Sequence, residues 1–217
     1  MQRKHEGKNK KIRKCFLCGS TNGLTRDHIP PKNLFKPPLP TDLITVPSCK
    51  KCNESYQLDE EYFRTFVATQ GYNNKIGKWV WNNKVINSTL KRSPALNTEL
   101  LKNIINIDTY SLGGIYLGKQ NSIVYDKKRI NSVVEKICRG LFSHHHPEIN
   151  ITGMKCKINM VNVNNETIKN LSSLKIRSIG KDTFIYWYGF SNKNLYDSFW
   201  AFLFYTRTMF SISTKPI

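Results

Sequence analysis

Three short stretches near the start of the chain decide the fold of its N-terminal part: residues 15–18 read CFLC, residues 24–31 read LTRDHIPP, and residues 43–53 read LITVPSCKKCN. Cys15, Cys18, Cys49 and Cys52 form two Cys-x-x-Cys pairs, a spacing that supplies a closed tetrahedral zinc site. A structural zinc contributes on the order of 10 kcal/mol or more to folding, enough to hold a segment with little core of its own. The alternative, two unrelated redox pairs, requires a strand–helix–strand context that the surrounding sequence lacks.

The residues around and between the pairs predict a strand–loop–strand–helix order. Residues 24–29 read as a short strand that two prolines end, because proline cannot donate to a β-ladder. Residues 43–46 read as a second strand that Pro47 stops, and a helix is expected to begin near Lys50. A further helix is predicted over residues 59–71, with acidic residues in its first turn.

Asp27, His28 and Asn53 are the residues of this segment that carry reactive or metal-binding groups. The Asp27 carboxylate and the Asn53 amide oxygen are hard donors, which together with water suit Mg²⁺ or Mn²⁺ better than a soft metal. A neutral His28 imidazole near pH 7 can take a proton from water that attacks a phosphodiester, an effect worth roughly 10²- to 10⁴-fold. Each residue also has a structural alternative. Asp27 would pair with Arg26 or cap a turn, His28 would be an ordinary strand residue, and Asn53 would cap a helix.

These residues resemble a zinc-containing HNH endonuclease of the ββα-metal type. The resemblance covers about residues 15–64, and residues 135–141, which read EKICRGL, are similar to the C-terminal part of stand-alone members. It implies that Asp27 ligates the catalytic metal and that His28 is the general base. Asn53 occupies the third signature position, where histidine is usual. Its asparagine is a variant like that in the HNH domain of RNA-guided DNA nucleases.

The resemblance also implies a reaction and further site residues. The middle signature position, usually asparagine, is Asp42 here. In the family the residue at this position braces the loop that holds the base, and Asn33 is a second candidate for this role. An aspartate there can accept a hydrogen bond but cannot donate one. The implied reaction is hydrolysis of a phosphodiester by activated water, leaving 5′ phosphate and 3′ hydroxyl ends, with Mg²⁺ or Mn²⁺ stabilising the pentacovalent phosphate. Four cationic residues are close enough in sequence to contact phosphates: Arg26, Lys32, Lys50 and Lys51.

The charge of the chain indicates a polyanionic partner. Its 217 residues carry a formal charge of +19, from 34 Lys and Arg against 15 Asp and Glu, and residues 1–14 form a basic arm. Double-stranded DNA is the first expectation and RNA the alternative, because phosphate contacts dominate affinity for both. A merely solvated tail is the plain alternative for the arm. No apolar stretch follows the basic N-terminus or approaches membrane length, so a cytoplasmic location without membrane contact is expected.

Residues 72–217 are predicted to form a domain of helices and antiparallel strands that binds substrate or sets specificity. The clearest element is a helix over 127–143, whose apolar residues recur at three and four and include Cys138 as a small buried hydrophobe. The histidines at 144–146 and the aromatic residues at 79, 81 and 186–188 are expected to be structural before they are metal ligands or base-stacking groups. The other predicted elements are helices at 76–90 and 96–105 and strands at 107–116, 122–125, 155–163, 174–179, 183–190 and 199–213.

The sequence therefore predicts an α+β protein in three parts: an arm (1–14), an HNH module with structural zinc (15–71) and a mixed C-terminal domain (72–217). The first functional expectation is a metal-dependent HNH endonuclease that hydrolyses DNA; its oligomeric state is left open, with a dimer as one option. Two alternatives stay open. One is a zinc-stabilised nucleic-acid-binding protein without catalysis, in which Asp42 marks the loss, and the other is an RNA-cleaving nuclease of the same type.

Overall fold

A two-stranded hairpin that leads directly into a helix forms the first part of the fold. In the computed structural model, which describes residues 13–216, β1 (Leu24–Ile29) pairs antiparallel with β2 (Ile44–Cys49), and α1 (Lys50–Ser55) follows at once. The predicted strand–loop–strand–helix order is confirmed. The expectation that Pro47 ends the second strand is wrong. Pro47 lies inside β2 because it lacks only its own N–H, and its carbonyl still accepts from the Phe16 N–H at 3.0 Å.

Helices occupy most of the chain between the first hairpin and residue 102. They are α2 (Gln57–Gln70), α3 (Lys75–Val80), a π-helix (Trp81–Thr89), α4 (Leu90–Arg92) and α5 (Pro94–Lys102). The Asn74 side-chain oxygen caps α3 by accepting from the N–H groups of Ile76 and Gly77. The predicted extension of α5 to residue 105 is wrong, since Ile104 already pairs with Ile123 in a strand.

A second hairpin consists of β3 (Ile104–Tyr110) and β4 (Tyr116–Ile123), and most of its side chains are exposed. The bounds predicted for these strands, 107–116 and 122–125, are therefore wrong: the first strand ends at Tyr110 and the second already begins at Tyr116. The turn lies at Gly114, which has a φ of 80° and donates its N–H to the Ser111 carbonyl at 2.9 Å. Gly113-Gly114 is itself a turn signal, which the predicted strand 107–116 overrode because apolar residues continue on both sides of it.

The helix predicted over 127–143 is confirmed as α6 (Lys127–His145), the longest helix among the described residues. An Asp126 oxygen accepts from the N–H groups of Lys128 and Arg129 and so caps its first turn. Its apolar stripe is buried, and Cys138 is fully inaccessible, as expected for a small core residue. α6 packs against α2 and against the first hairpin.

The C-terminal part is an antiparallel sheet with strand order β5-β9-β8-β7-β6. Its elements are β5 (Met154–Val161), α7 (Asn165–Asn170), β6 (Lys175–Ile179), β7 (Phe184–Phe190), β8 (Ser198–Phe204) and β9 (Thr208–Pro216). One face carries Trp200, Phe202 and Phe204 into the main core, and the other buries Leu203 and Ala201 in a smaller cluster. The sequence predicted the first three strands of this sheet but not α7.

The run from 199 to 213 was predicted as one strand, and this is wrong. It is a hairpin, β8 and β9, whose turn contains Tyr205 and Thr206 at φ values of 49° and 59°. Such turns usually carry asparagine or glycine, which tolerate positive φ, so the sequence gives no turn signal here. Burial holds the conformation: Tyr205 is fully inaccessible, and its hydroxyl donates to the Leu34 carbonyl at 2.6 Å.

The predicted α+β class with antiparallel sheets is confirmed. One hydrophobic core runs through the described chain, from Phe16 and Ile29 in the zinc-spaced segment through α2 and α6 to the inner face of the C-terminal sheet. Within residues 13–216, no helix has the length and apolar character needed to cross a membrane.

Candidate functional site

The four cysteines of the two pairs come together at the base of the first hairpin. Their sulfur atoms all lie within 4.8 Å of one another, and the Cys18 and Cys49 sulfurs are 3.7 Å apart. Tetrahedral zinc with Zn–S bonds of about 2.3 Å requires sulfurs about 3.8 Å apart. The cluster therefore has the size of a four-thiolate zinc site, and these cysteines could hold such an ion.

The electrostatics of the cluster also favour a cation. Burial raises the pKa of the Cys15 thiol, but backbone N–H groups, chiefly that of Cys49, outweigh this and bring the pKa to about 6. The pKa of Cys52 is raised, first by burial and then by the neighbouring thiols. The thiols therefore oppose one another's ionisation, because each further thiolate would repel the first. A bound cation would allow all four to ionise.

The register of the hairpin separates Asp27 from His28. Asp27 pairs with Val46, and its side chain is buried toward the face that packs on α6. His28 pairs with Thr45 and is half-buried, and because side chains alternate along a strand, it lies on the opposite face. The two residues are adjacent in sequence but offer their groups from different sides of β1.

Asp27 is bound to a lysine that the sequence analysis did not include in the site. The Asp27 Oδ2 atom lies 2.8 Å from Nζ of Lys136, which is completely inaccessible on α6. The same ammonium donates to the Glu60 carboxylate of α2 at 2.5 Å. Burial alone would lower the pKa of Lys136, but Glu60 and Asp27 outweigh it and raise the pKa, so the group stays charged.

Asn53 is anchored to the same face as Asp27. Its side-chain N–H donates to the Thr25 hydroxyl at 3.0 Å, and Thr25 lies two residues before Asp27 on β1. The amide oxygen of Asn53 has no hydrogen-bond partner among residues 13–216. One carboxylate and one amide oxygen on a common face fit the donor preferences of Mg²⁺ or Mn²⁺, which keep several water ligands. Asp27 and Asn53 would hold that ion.

His28 has the protonation state that a general base requires. Burial lowers its pKa, Lys32 lowers it further, and Asp27 opposes them, with the net shift downward. The imidazole is therefore neutral near pH 7. In the loop that follows β1, the side-chain oxygen of Asn33 is sealed from solvent and finds no hydrogen-bond donor among the described residues. The Lys84 ammonium fastens this loop by donating to the carbonyls of Asn33 and Phe35.

Asp42 contacts the other end of the molecule. Its carboxylate accepts from the Gly180 N–H at 3.3 Å, in the turn between β6 and β7. This bond ties the loop between β1 and β2 to the C-terminal sheet. The bracing role that the resemblance implies for Asp42 stays a prediction.

The cationic residues predicted to contact phosphates are all exposed: Arg26, Lys32, Lys50 and Lys51. Lys50 forms a 3.8 Å ion pair with Glu54 on α1, and Arg26 lines a cleft of about 1130 Å³. The cleft lies between the cysteine-rich segment, the hairpin and the chain after α6, and Arg13, Lys14 and His144 also line it. The rest of the predicted basic arm, residues 1–12, lies outside the described residues.

His145 and the aromatic residues of the remaining motifs pack within the fold. His145 stacks on Tyr188 with ring centroids 4.2 Å apart and shares a 3.2 Å hydrogen bond with the Tyr186 hydroxyl. Burial lowers the pKa of His145 to about 4. Tyr186, Trp187 and Tyr188 are buried in the sheet, and Trp79 and Trp81 pack against the core.

Lys136 and Glu60 are the site residues that sequence reasoning missed. Lys136 follows Val133 by three positions and precedes Gly140 by four, so it falls on the buried side of α6. A lysine on an apolar face requires a partner, and this was a usable signal. The partners themselves come from β1 and α2 and could not be identified from spacing.

Comparison with known proteins gives no match to a protein-family model, a curated protein or a solved structure. The proposals below therefore depend on the geometry of the site and on its sequence motifs.

Proposed function

We propose that the protein is a metal-dependent endonuclease of the HNH type that hydrolyses phosphodiester bonds in DNA. The observation that carries the proposal is the hairpin–helix unit. In this unit Asp27 and His28 share one strand, Asn53 is hydrogen-bonded to that strand, and four thiols at its base form a cluster of zinc size. The resemblance noted in the sequence gives each of these groups a role.

In this proposal each group of site residues has a separate role. The neutral His28 imidazole accepts a proton from the attacking water, which becomes a stronger nucleophile at that moment. Asp27 and Asn53 hold Mg²⁺ or Mn²⁺, which when bound supplies Lewis-acid stabilisation of the pentacovalent phosphate and the departing 3′ oxygen. The four cysteines hold zinc and keep β1, β2 and α1 in register.

Substrate binding in this proposal is electrostatic. Arg26, Lys32, Lys50 and Lys51 surround the unit with exposed positive charge, and the cleft lined by Arg13, Lys14 and Arg26 runs along the hairpin. Thr45, the register partner of His28, also lines this cleft. His28 itself does not line the cleft, so a nucleic-acid strand bound there would reach the proposed general base past Arg26 and Thr45.

A specific observation favours a second candidate, a zinc-stabilised nucleic-acid-binding protein without catalysis. Oδ2 of Asp27 is occupied by the Lys136 ammonium, and the Asp42 carboxylate bonds to Gly180. Both contacts would suit a site in which the acidic residues have become structural.

The two candidates separate in a plasmid-nicking experiment with Mg²⁺ or Mn²⁺. We expect the wild-type protein to nick the DNA and EDTA to stop it. His28→Ala should slow cleavage by roughly 10²- to 10⁴-fold, because the general base is lost, while zinc content and DNA retardation are unchanged. Gln120→Ala, on the exposed strand β4 and outside the lining of the cleft, is the control and should cut normally.

Each other outcome has a distinct meaning. Full activity of His28→Ala would remove this histidine as the base. A wild-type protein that retards DNA and leaves it intact would establish the binding protein in place of the nuclease. An RNA of the same sequence, tested in parallel, addresses the RNA-cleaving alternative.

A further inference from the structure

The strongest unexplained feature of the molecule is the buried triad of Asp27, Lys136 and Glu60. Lys136 is completely inaccessible, and the side chains of Asp27 and Glu60 are 6% and 15% exposed. The three residues come from β1, α6 and α2, and the Tyr56 ring, 5.2 Å from the ammonium, covers the lysine. The triad therefore lies at the junction of the hairpin with the helices.

The charge of the triad is not balanced. With both carboxylates ionised, the triad carries one net negative charge in a site that is nearly closed to water; burial raises the pKa of Glu60, and the Lys136 ammonium opposes this. A tether between α2 and α6 would need only the Lys136–Glu60 pair, which is complete at 2.5 Å. Burying a further carboxylate is costly unless another cation compensates it. The surplus charge thus indicates a ligand of positive charge at the Asp27 end.

The two oxygens of Asp27 differ in their surroundings. Oδ2 is sealed from solvent and lies 2.8 Å from the ammonium in an ion pair without hydrogen-bond geometry, so the remaining exposure of the side chain lies on its other atoms. An ammonium that is itself held by Glu60 cannot leave easily, which restricts Asp27 to one free oxygen. One oxygen suffices, since Mg²⁺ and Mn²⁺ sites of this kind use few protein ligands and several waters.

We propose that Lys136 is a positioning residue for the divalent ion: its ammonium holds Oδ2 of Asp27 so that Oδ1 faces the ion, and Glu60 neutralises the ammonium so that Asp27 keeps its charge. The inference rests on the proposed nuclease function. It adds two residues, from α2 and α6, that act on the ion through Asp27. It also explains why a lysine occupies the buried side of α6.

The proposal is tested with Glu60→Gln, which keeps an oxygen acceptor for Lys136 but removes the compensating charge. Asp27 would then be neutralised by the ammonium, and the half-saturating Mn²⁺ concentration should rise by about 10- to 100-fold, in both direct binding measured by electron paramagnetic resonance and plasmid cleavage. Glu99→Gln is the matched control. It also removes one negative charge from an ion pair, with Arg129, but lies outside the triad and should leave Mn²⁺ binding unchanged.

A double variant, Lys136→Met with Glu60→Gln, separates charge from position. It restores one net negative charge on Asp27 but removes the group that holds Oδ2. Mn²⁺ affinity should return to within about threefold of wild type, while cleavage at saturating Mn²⁺ stays about tenfold slower because the carboxylate is no longer oriented. Zinc content and the melting temperature, measured on every variant, show that the fold is kept.

The outcomes distinguish the two proposals. If wild type binds Mn²⁺ and cuts DNA while folded Glu60→Gln and the double variant both match it, the positioning role is overturned and the nuclease stands. If wild type neither binds Mn²⁺ nor cuts, the nuclease proposal fails and the role of Lys136 fails with it. If Glu60→Gln does not fold, the double variant alone decides, and cleavage at the wild-type rate overturns the inference.

Discussion

The two ends of the described chain are held together by different chemistry. Residues 13–55 bury few large apolar side chains, among them Phe16, Ile29 and Phe35, and instead gather four thiols within 4.8 Å. The C-terminal sheet has no such cluster among its described residues and buries a continuous set of aromatic rings. These are Phe184, Tyr186, Tyr188, Trp200, Phe202, Phe204 and Phe210.

This difference explains where the candidate chemistry lies. An aromatic core is closely packed between neighbouring strands and a covering helix. The sheet faces that it stabilises are therefore buried and inaccessible to a ligand. A thiol cluster lies at one end of the first hairpin, and only one face of this hairpin packs on α6, so the other face stays accessible. The exposed Arg26 and the half-buried His28 and Asn53 all lie on or beside a hairpin of this kind.

The largest effect that tests this comparison comes from removing one thiol. Cys49→Ser should abolish zinc binding, which is worth on the order of 10 kcal/mol, and unfold the N-terminal segment. Metal content, limited proteolysis and near-UV circular dichroism measure this. We expect cleavage within residues 13–55 while the aromatic signal of the C-terminal sheet persists.

Cys156→Ser is the matched control for the thiol, because Cys156 is partly buried in β5, outside the cluster. It should retain one zinc per chain. A soluble Cys49→Ser protein with an unchanged melting curve would show that the thiols do not clamp the segment. Loss of the aromatic signal together with the zinc would show that the shared core makes the two regions one cooperative unit.

Much of the fold could be predicted because the decisive signals are local. The two Cys-x-x-Cys pairs and the prolines that end β1 all lie within residues 15–52, and the three-and-four recurrence of α6 is contained in its 19 residues. The hairpin of β8 and β9 could not be predicted, since its turn at Tyr205 has no turn-forming residue and depends on burial against Leu34, far away in sequence. Tertiary packing overrides the local propensity there.

The candidate site divides in the same way. Asp27, His28 and Asn53 were found because they lie within a short motif, and the structure brings Asp27 and Asn53 to one face. Lys136 and Glu60 were missed because their relation to Asp27 exists only after α2 and α6 pack on the hairpin. Sequence spacing records neighbours along an element, not neighbours across a core.

A smaller effect is expected from the aromatic region. Trp200 is completely buried and stacks on Tyr188 with ring centroids 5.5 Å apart. Trp200→Ala should lower the free energy of unfolding by about 3–5 kcal/mol, because it leaves a cavity in the sheet. The adjacent Phe199, which is 38% exposed, provides the control, and Phe199→Ala should change it by about 0.5 kcal/mol or less.

Denaturant unfolding followed by tryptophan fluorescence and zinc content measures both variants. Each should keep one zinc per chain, since the thiols lie at the other end of the molecule. Equal destabilisation by the two substitutions would contradict the claim that the inner aromatic face carries the stability of this region.

The smallest effect is expected at the contact between the two regions. A Cβ added to Gly140 of α6 would lie 2.6 Å from side-chain carbons of Ile29, which is completely buried one residue after His28. Alanine normally favours a helix over glycine by about 1 kcal/mol, but overpacking here should leave Gly140→Ala destabilised by about 1–3 kcal/mol. Gly153→Ala meets no atom within 4 Å and serves as the control.

Because the strain is directed at β1, adding Ile29→Val to Gly140→Ala should recover part of the stability and part of the plasmid cleavage. If Gly140→Ala is as stable as Gly153→Ala and cleaves normally, α6 does not fix the position of the hairpin.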